Sequence, residues 1–305
     1  MLPEEPKTIL IAGGTGMVGS RLAELLHTRR YRVTILTRGD SDPSKGHYHW
    51  DPSRNIISKE AIETADAIVN LSGAGLADQR WTPWRRRTLV NSRVFPARVL
   101  AETLSHTKHH VKVVVNASAV GYYGNTHEQI IHEDYPPDKG FLAKMCVRWE
   151  DSADQFKSAG LRTVILRFAN VLSMTGGYLP ELLKPMRFGI APVFGNGTQY
   201  VSWIHIDDLC RLVLRCVNNE KINGTYNAAA PGYISNRNFI KLLQQIRGGR
   251  YITIPLPPFL LFFVLGGLAR ALLDGCRASP SKIQEAGFEF RYPEADDALK
   301  ELLEK

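Results

Sequence analysis

The sequence predicts an α/β protein built on a doubly wound parallel sheet. Two observations predict it. Apolar runs of strand length alternate with long helical segments through the first 170 residues, the pattern of strand–helix–strand units. The first of those runs also ends in a glycine-rich turn that opens directly into a helix.

Thr8-Ile-Leu-Ile-Ala12 is apolar throughout, as suits a strand buried on both faces. Gly13-Gly-Thr-Gly-Met-Val-Gly19 follows at once, with Gly13, Gly16 and Gly19 in the spacing GxxGxxG, and Ser20–Leu26 then shows helical periodicity. Such a turn leaves backbone N–H groups free at a helix N-terminus, where a pyrophosphate is favoured. Glycines keep side chains out of the way of the phosphates and of helix-on-sheet packing. The next strand, Tyr31–Thr37, ends in Arg38, nineteen positions after Gly19. A site for NAD carries Asp or Glu near there; Thr37 and Arg38 instead suit the 2′-phosphate of NADP(H). The alternative is an ordinary surface arginine at a strand end.

Three further strands are expected. Ala67–Leu71 runs into Ser72-Gly73, Val111–Ala117 into Ser118, and Leu161–Phe168 into Ala169-Asn170. Helices are expected over about 83–107 and 141–159, the first with Thr82 as N-cap and Pro83 at the first helical position. Ligands of such sheets bind outside the carboxyl ends of the strands, which directs Ser72, Ser118 and Asn170 to one crevice. Asn170 serves either a substrate or a turn.

Composition narrows the function classes. The chain has 305 residues, 44% hydrophobic and 22% charged, ordinary for a globular protein. Four cysteines, Cys146, Cys210, Cys216 and Cys276, are too scattered for a disulfide scaffold or a structural zinc site. His109-His110 and the pair His47 and His49 lack companion ligands, so no metal is expected. Met1–Lys7 lacks the pattern of a signal peptide, and the longest apolar run, Phe259–Ala269, has 11 residues, too few to span a bilayer as a helix. The expectation is a soluble, intracellular, cytoplasmic protein. Pro255–Leu273 is read as a helix packed on its own lobe or as a homodimer face.

The turn Gly13–Gly19, Asn70-Leu-Ser-Gly73, Ala117-Ser-Ala-Val-Gly-Tyr-Tyr-Gly124 and Trp203-Ile-His-Ile-Asp-Asp-Leu209 together resemble extended short-chain dehydrogenase/reductases. Gly73–Trp81 with Asn91-Ser-Arg93, and the tail Glu285–Pro293, resemble more narrowly an epimerase-like subgroup of unassigned substrate that ends in a small domain of unknown function. The resemblance implies a Rossmann-type NADP-binding core over 7–170, completed by about 200–230. It implies a smaller substrate lobe from 171–200 and 231–303. It places Gly13, Thr15, Gly16, Met17, Val18, Gly19, Thr37, Arg38, Leu71, Ser72, Gly73, Arg93, Ala117, Ser118 and Val171 on the cofactor, and Asn170 and Trp203 on the substrate.

Members of the wider superfamily use a Ser or Thr with a Tyr-x-x-x-Lys pair, the phenol as acid or base and the lysine lowering its pKa. Ser118 matches the serine. Four residues before Lys144 stands Gly140, and the register that matches Glu150 places Leu142 and Cys146 at the paired positions. Three readings stay open. Tyr122 or Tyr123 acts from the loop after Ser118 with Lys144 nearby; His205 or Asp207 serves, although Asp207 also suits a helix N-cap; or the protein binds NADP(H) without the usual turnover. The two leading functions are an NADP(H)-dependent epimerase or oxidoreductase on a small hydroxy, carbonyl or sugar-nucleotide-like substrate, and an NADP(H)-binding regulatory protein.

The formal net charge of +8 raises nucleic acid as a partner. From Asp78 to Arg98, however, six arginines (80, 85, 86, 87, 93 and 98) face one acid, a local net of +5 in 21 residues beside the crevice loop. Arg85-Arg86-Arg87 opens a helix against its macrodipole. The expectation is therefore a local basic wall for an anionic ligand, or else a solvated helix face, and no specific nucleic-acid site.

Overall fold

The structure, a computed structural model, describes residues 7–304. At its centre lies an eight-stranded sheet in the order Gly224–Ala228, Arg162–Phe168, Val113–Ala119, Ala67–Asn70, Thr8–Ala12, Arg32–Thr37, His47–Asp51, Ile56–Ile57. Neighbours run parallel throughout except the last pair, which is antiparallel. Strand order reverses between Thr8–Ala12 and Ala67–Asn70, and the carboxyl ends on either side of that switch frame a crevice.

The apolar runs are continuous because both sheet faces are covered. Ile9 and Ile11 join one core with Leu22, Leu26 and the helix Ile206–Asn218. Leu10 and Ala12 join the opposite core with Ala97, Leu100, Ala153 and Phe156. The helix Pro83–His106 starts where expected: Thr82 Oγ1 accepts from Arg85 N at 3.1 Å and Pro83 occupies the first position. The helix Phe141–Ser158 also lies within the expected bounds.

The periodicity did not show every strand. His47–Asp51 alternates half-buried and buried residues near a sheet edge, so its sequence lacks an apolar run. Gly224–Ala228 holds the opposite edge of the sheet and begins at a left-handed glycine.

A third core lies beyond the sheet. The helices Tyr178–Met186, Asn236–Arg247 and Ala295–Leu303 pack with the parallel pair Ile190–Phe194 and Ile252–Leu256 around Phe239, Leu243 and Trp203. The short helices Pro258–Leu265 and Leu268–Leu273, joined through Gly266-Gly267, run from this region back over the crevice. Among the described residues no helix is long and apolar enough to cross a membrane.

Candidate functional site

The turn after the first strand is closed by backbone contact. Gly13 has φ +82°, and a Cβ there would lie 2.9 Å from the Leu71 carbonyl. A Cβ on Gly19 would lie 2.3 Å from Gly13 O, so the helix can meet the turn only through glycine. Gly16 caps the helix Met17–Thr28 without a side-chain bond, and no acidic residue occupies the first helical turn. Thr15 and Gly16 are exposed, while Met17 packs its sulfur over Gly176 and Gly177. Val18 is half-buried against the sheet core.

Arg38 stands exposed just past the strand Arg32–Thr37 and has no ion pair among the described residues; Thr37 Oγ1 accepts from Gly39 N at 3.1 Å. Beyond the switch point, Leu71 N donates to Ala12 O at 2.8 Å, while the buried Ser72 Oγ has no partner. Arg93 is held beneath this loop. It donates to Leu89 O at 3.0 Å and Ala74 O at 3.1 Å, lies over the Trp149 ring at 5.1 Å, and presses against Gly73. Among the described residues its Nε has no partner and no carboxylate pairs with it, and burial lowers its pKa to about 10. Val171, on the strand Asn170–Leu172, is half-buried against the sheet core.

A cavity of about 590 Å³ opens beside these residues. Ser118 and Asn170 sit on its sheet side, and Arg86, Arg93 and Arg270 supply its cations. Asn170 Nδ2 donates to Ser202 O at 2.9 Å. Ser118, just beyond the buried Ala117, donates its hydroxyl proton to Glu150 Oε1 at 2.5 Å. Glu150 accepts two further bonds from Arg167, both at 2.8 Å.

The helix Phe141–Ser158 turns Leu142, Met145, Cys146 and Trp149 to the cavity. The two positions that match a Tyr-x-x-x-Lys pair in the Glu150 register are therefore the cavity-facing ones, and they carry an isobutyl group and a thiol. Burial pushes the Cys146 thiol up to about 12, so it is not a thiolate.

Several expected residues lie elsewhere. Lys144 is exposed on that helix and does not line the cavity. Tyr123 is buried, and its hydroxyl donates to Asn227 Oδ1 at 2.7 Å while accepting from Arg167 at 2.8 Å; burial raises its pKa. The Arg167 guanidinium covers Tyr122 at 3.6 Å from the ring centre. Neither tyrosine lines the cavity; both rings lie under the Arg167 guanidinium. Trp203 does not line the cavity either: its indole is fully buried in the third core and donates to Gly232 O at 2.8 Å.

His205 and Asp207 are likewise committed. His205 Nδ1 accepts from Asp207 N at 3.1 Å, making His205 rather than Asp207 the N-cap of the helix Ile206–Asn218, and its Nε2 meets Glu301 at 3.0 Å. Asp207 pairs with Arg21 at 2.6 Å.

Sequence reasoning missed Glu150, Arg167 and Asn227 as a unit, since their links span the chain. It also missed Asp138, Arg270 and Asp274 on the cavity wall. Asp138 accepts from Gly140 N at 2.8 Å, and Arg270 Nε meets Asp274 at 3.1 Å. Burial raises the Asp274 pKa against the pull of Arg270.

A doubly wound sheet with a side-chain-free turn at its switch point, and a C-terminal lobe closing over the crevice, defines a Rossmann-type α/β protein. The chain belongs to the NAD dependent epimerase/dehydratase family, whose pattern matches residues 9–229. A domain of unknown function, DUF1731, matches residues 256–302. An epimerase family protein of Staphylococcus saprophyticus, SSP1921, is 36% identical over 304 residues, covering 97% of this chain and 99% of that one. The crystal structure of a human epimerase family protein, SDR39U1 (isoform 2) with NADPH, is similar at a TM-score of 0.87 and 29% identity, over 98% of this chain and 99% of that one. A nucleoside-diphosphate sugar epimerase of Corynebacterium glutamicum is similar at 0.79 and 30% identity, over 98% of this chain and 58% of that one.

Proposed function

We propose that the chain binds NADP(H) across the turn Gly13–Gly19 and uses it on a small hydroxylated or carbonyl compound held in the adjoining cavity. The turn carries this reading: Gly13, Gly16 and Gly19 leave a helix N-terminus bare of side chains and acids, the chemistry a pyrophosphate needs. The backbone from Thr15 to Val18 would hold the phosphates. Leu71, Ser72, Gly73, Ala117 and Val171 would line the nicotinamide half, and the partnerless Ser72 Oγ and Arg93 Nε offer donors there. Arg38, without an ion pair among the described residues, would take the 2′-phosphate. The nicotinamide, when bound, supplies or accepts hydride. Ser118 and Asn170 would orient the reacting oxygen from the sheet side of the cavity.

The human relative solved with NADPH supports the choice of cofactor. The four cysteines, all free and buried, support a reducing, cytoplasmic setting. Titrating purified protein with NADPH and NADH tests the reading. Arg38→Asp removes charge-assisted bonds of about 1.5–3 kcal/mol, so NADPH should weaken by roughly ten- to a hundredfold and NADH far less. Equal losses would refute the role of Arg38. Leu142 and Cys146, standing where a Tyr-Lys pair would face the cavity, favour a second reading. There, the NADP(H)-bound state controls a protein partner without turnover. By reciprocity, a partner whose affinity is unchanged by saturating NADPH excludes it.

A further inference from the structure

Resting on the NADP(H) reading, we propose that the cavity takes a planar, largely apolar conjugated carbonyl compound bearing an acid group, rather than a sugar. The walls point to this. Trp81, Phe141, Trp149, Phe168, Tyr200 and Phe262 line the cavity, with Leu142 and Met145 between them. Trp81 and Phe141 meet edge to face at 5.3 Å. A polyhydroxylated ring would lose water on entry and find most polar side chains of the wall already engaged, Ser118 with Glu150, Asn170 with the Ser202 carbonyl, Ser202 with the Cys276 carbonyl and Arg270 with Asp274, and unpaired polar groups are costly to bury. A flat apolar ring loses nothing by that exchange.

The cations select the acid group. Arg86 lies over the Phe141 ring at 5.2 Å, and a Cβ on Gly267 would touch its guanidinium at 3.1 Å. Arg270 flanks the same opening beside Gly140, and it alone of the two has a carboxylate partner, Asp274. Arg86 has no ion pair among the described residues, so an anionic group on an aromatic ring finds both a stacking face and a free guanidinium.

The proton chemistry selects conjugation. Hydride addition to an isolated carbonyl leaves a strongly basic alkoxide, which needs a placed acid. Among the described residues on the cavity wall there is no lysine or histidine, and Leu142 and Cys146 fill the acid–base positions. The wall's other candidate acids are engaged: Asp138 accepts from Gly140 N, Asp274 pairs with Arg270, and Tyr200 lies under the Arg277 guanidinium. Addition to the far carbon of a conjugated carbonyl needs no such acid. The hydride of the reduced nicotinamide forms the new C–H bond, the C=C π pair moves to give a delocalised enolate, and water protonates it. The nicotinamide is oxidised and the substrate reduced by two electrons.

The test uses the full chain, first titrated with NADPH by fluorescence so that the cofactor reading is settled separately. The probes are 4-(3-oxobut-1-enyl)benzoate, its methyl ester, the saturated ketone 4-(3-oxobutyl)benzoate, and UDP-glucose. Calorimetry on the NADPH complex, or the NADP⁺ complex where turnover interferes, reads binding. Absorbance at 340 nm reads turnover, and deuterium transfer from 4-deuterated NADPH, followed by NMR, reads the carbon attacked. The conjugated acid should bind at least tenfold tighter than its ester and than UDP-glucose. It should oxidise NADPH at least a hundredfold faster than the saturated ketone, with deuterium at the far carbon. Arg86→Gln should bring acid and ester to within threefold. Preference for UDP-glucose or the saturated ketone, equal binding of acid and ester, or tight NADPH binding with no turnover of either enone overturns the proposal and leaves the cofactor reading standing. Failure to bind NADPH removes both.

Discussion

Replacing Glu150 with leucine should destabilise the protein far more than replacing it together with Arg167. Glu150 is 12% exposed and Arg167 5%, and the carboxylate accepts Nε and NH2 of the guanidinium at 2.8 Å each. Burial opposes the Arg167 charge, yet Glu150 and Tyr123 hold it, so its pKa is raised. Glu150→Leu strands that charge, because the Tyr123 hydroxyl and Glu133 carbonyl that remain carry no formal charge. Breaking a buried pair from one side costs about 3–5 kcal/mol, whereas replacing both partners with apolar groups is often neutral. For a chain of this length about 2 °C is lost per kcal/mol, giving a fall of roughly 6–10 °C for the single variant. Urea titration and calorimetry of E150L, R167L and E150L/R167L form the cycle. The double variant should be at least about 2 kcal/mol more stable than the sum of the singles requires. Additive losses would refute the claim that the two side chains are one unit.

Other outcomes follow from the same geometry. Gly19→Ala drives a Cβ to 2.3 Å from Gly13 O and should weaken NADPH by more than a hundredfold in a fluorescence titration; a loss under threefold would show that the turn can open. Lys144→Ala, at an exposed position away from the cavity, should leave NADPH affinity unchanged and stability within about 0.5 kcal/mol. A large loss of turnover without loss of fold would return Lys144 to the chemistry. Burial lowers the His205 pKa against the pull of Glu301, Asp207 and Asp208, so the fold refuses a proton that the unfolded chain accepts below about pH 6.5. Its contribution is full above that pH and is lost as pH falls through it. His205→Asn, which keeps an acceptor for Asp207 N, should flatten the fall in urea midpoint between pH 7.5 and 5.5; an unchanged slope would place the titration elsewhere.

The sheet was legible in the sequence where strands are buried on both faces, because burial writes short apolar runs such as Ile9–Ala12, Ala67–Val69 and Val164–Leu166. The turn was legible because only glycine tolerates the close backbone of Leu71 at Gly13 and of Gly13 at Gly19. The strand His47–Asp51, next to the sheet edge, was not, since its alternate side chains are only half-buried and polar. At the crevice, Ser118 and Asn170 could be placed from strand ends, but local sequence says nothing of where a ring turns. Tyr123 was drawn away by Asn227, 104 positions distant, and Trp203 by the carbonyl of Gly232. The helix register was the informative ambiguity: Leu142 and Cys146 both line the cavity, whereas in the other register Gly140 does and Lys144 does not.

The basic segment completes that picture. Of its six arginines, Arg85 and Arg93 are buried, and Arg86 is exposed yet lines the cavity. Arg85 donates to Gly75 O at 2.6 Å and meets Asp78 at 3.4 Å, tying down the loop that covers the switch point. Arg93 reaches from the helix Pro83–His106 to the Trp149 ring and lies close enough to Cys146 to draw its thiol pKa downward against burial. A lysine at position 146 would have set a cation at this wall from the helix Phe141–Ser158. Here the facing helix supplies the cation, and the helix that would carry the Tyr-Lys pair presents only apolar groups and a neutral thiol. Charge at the crevice is thus kept while this helix brings no tyrosine or lysine to it, a combination suited to holding an anion.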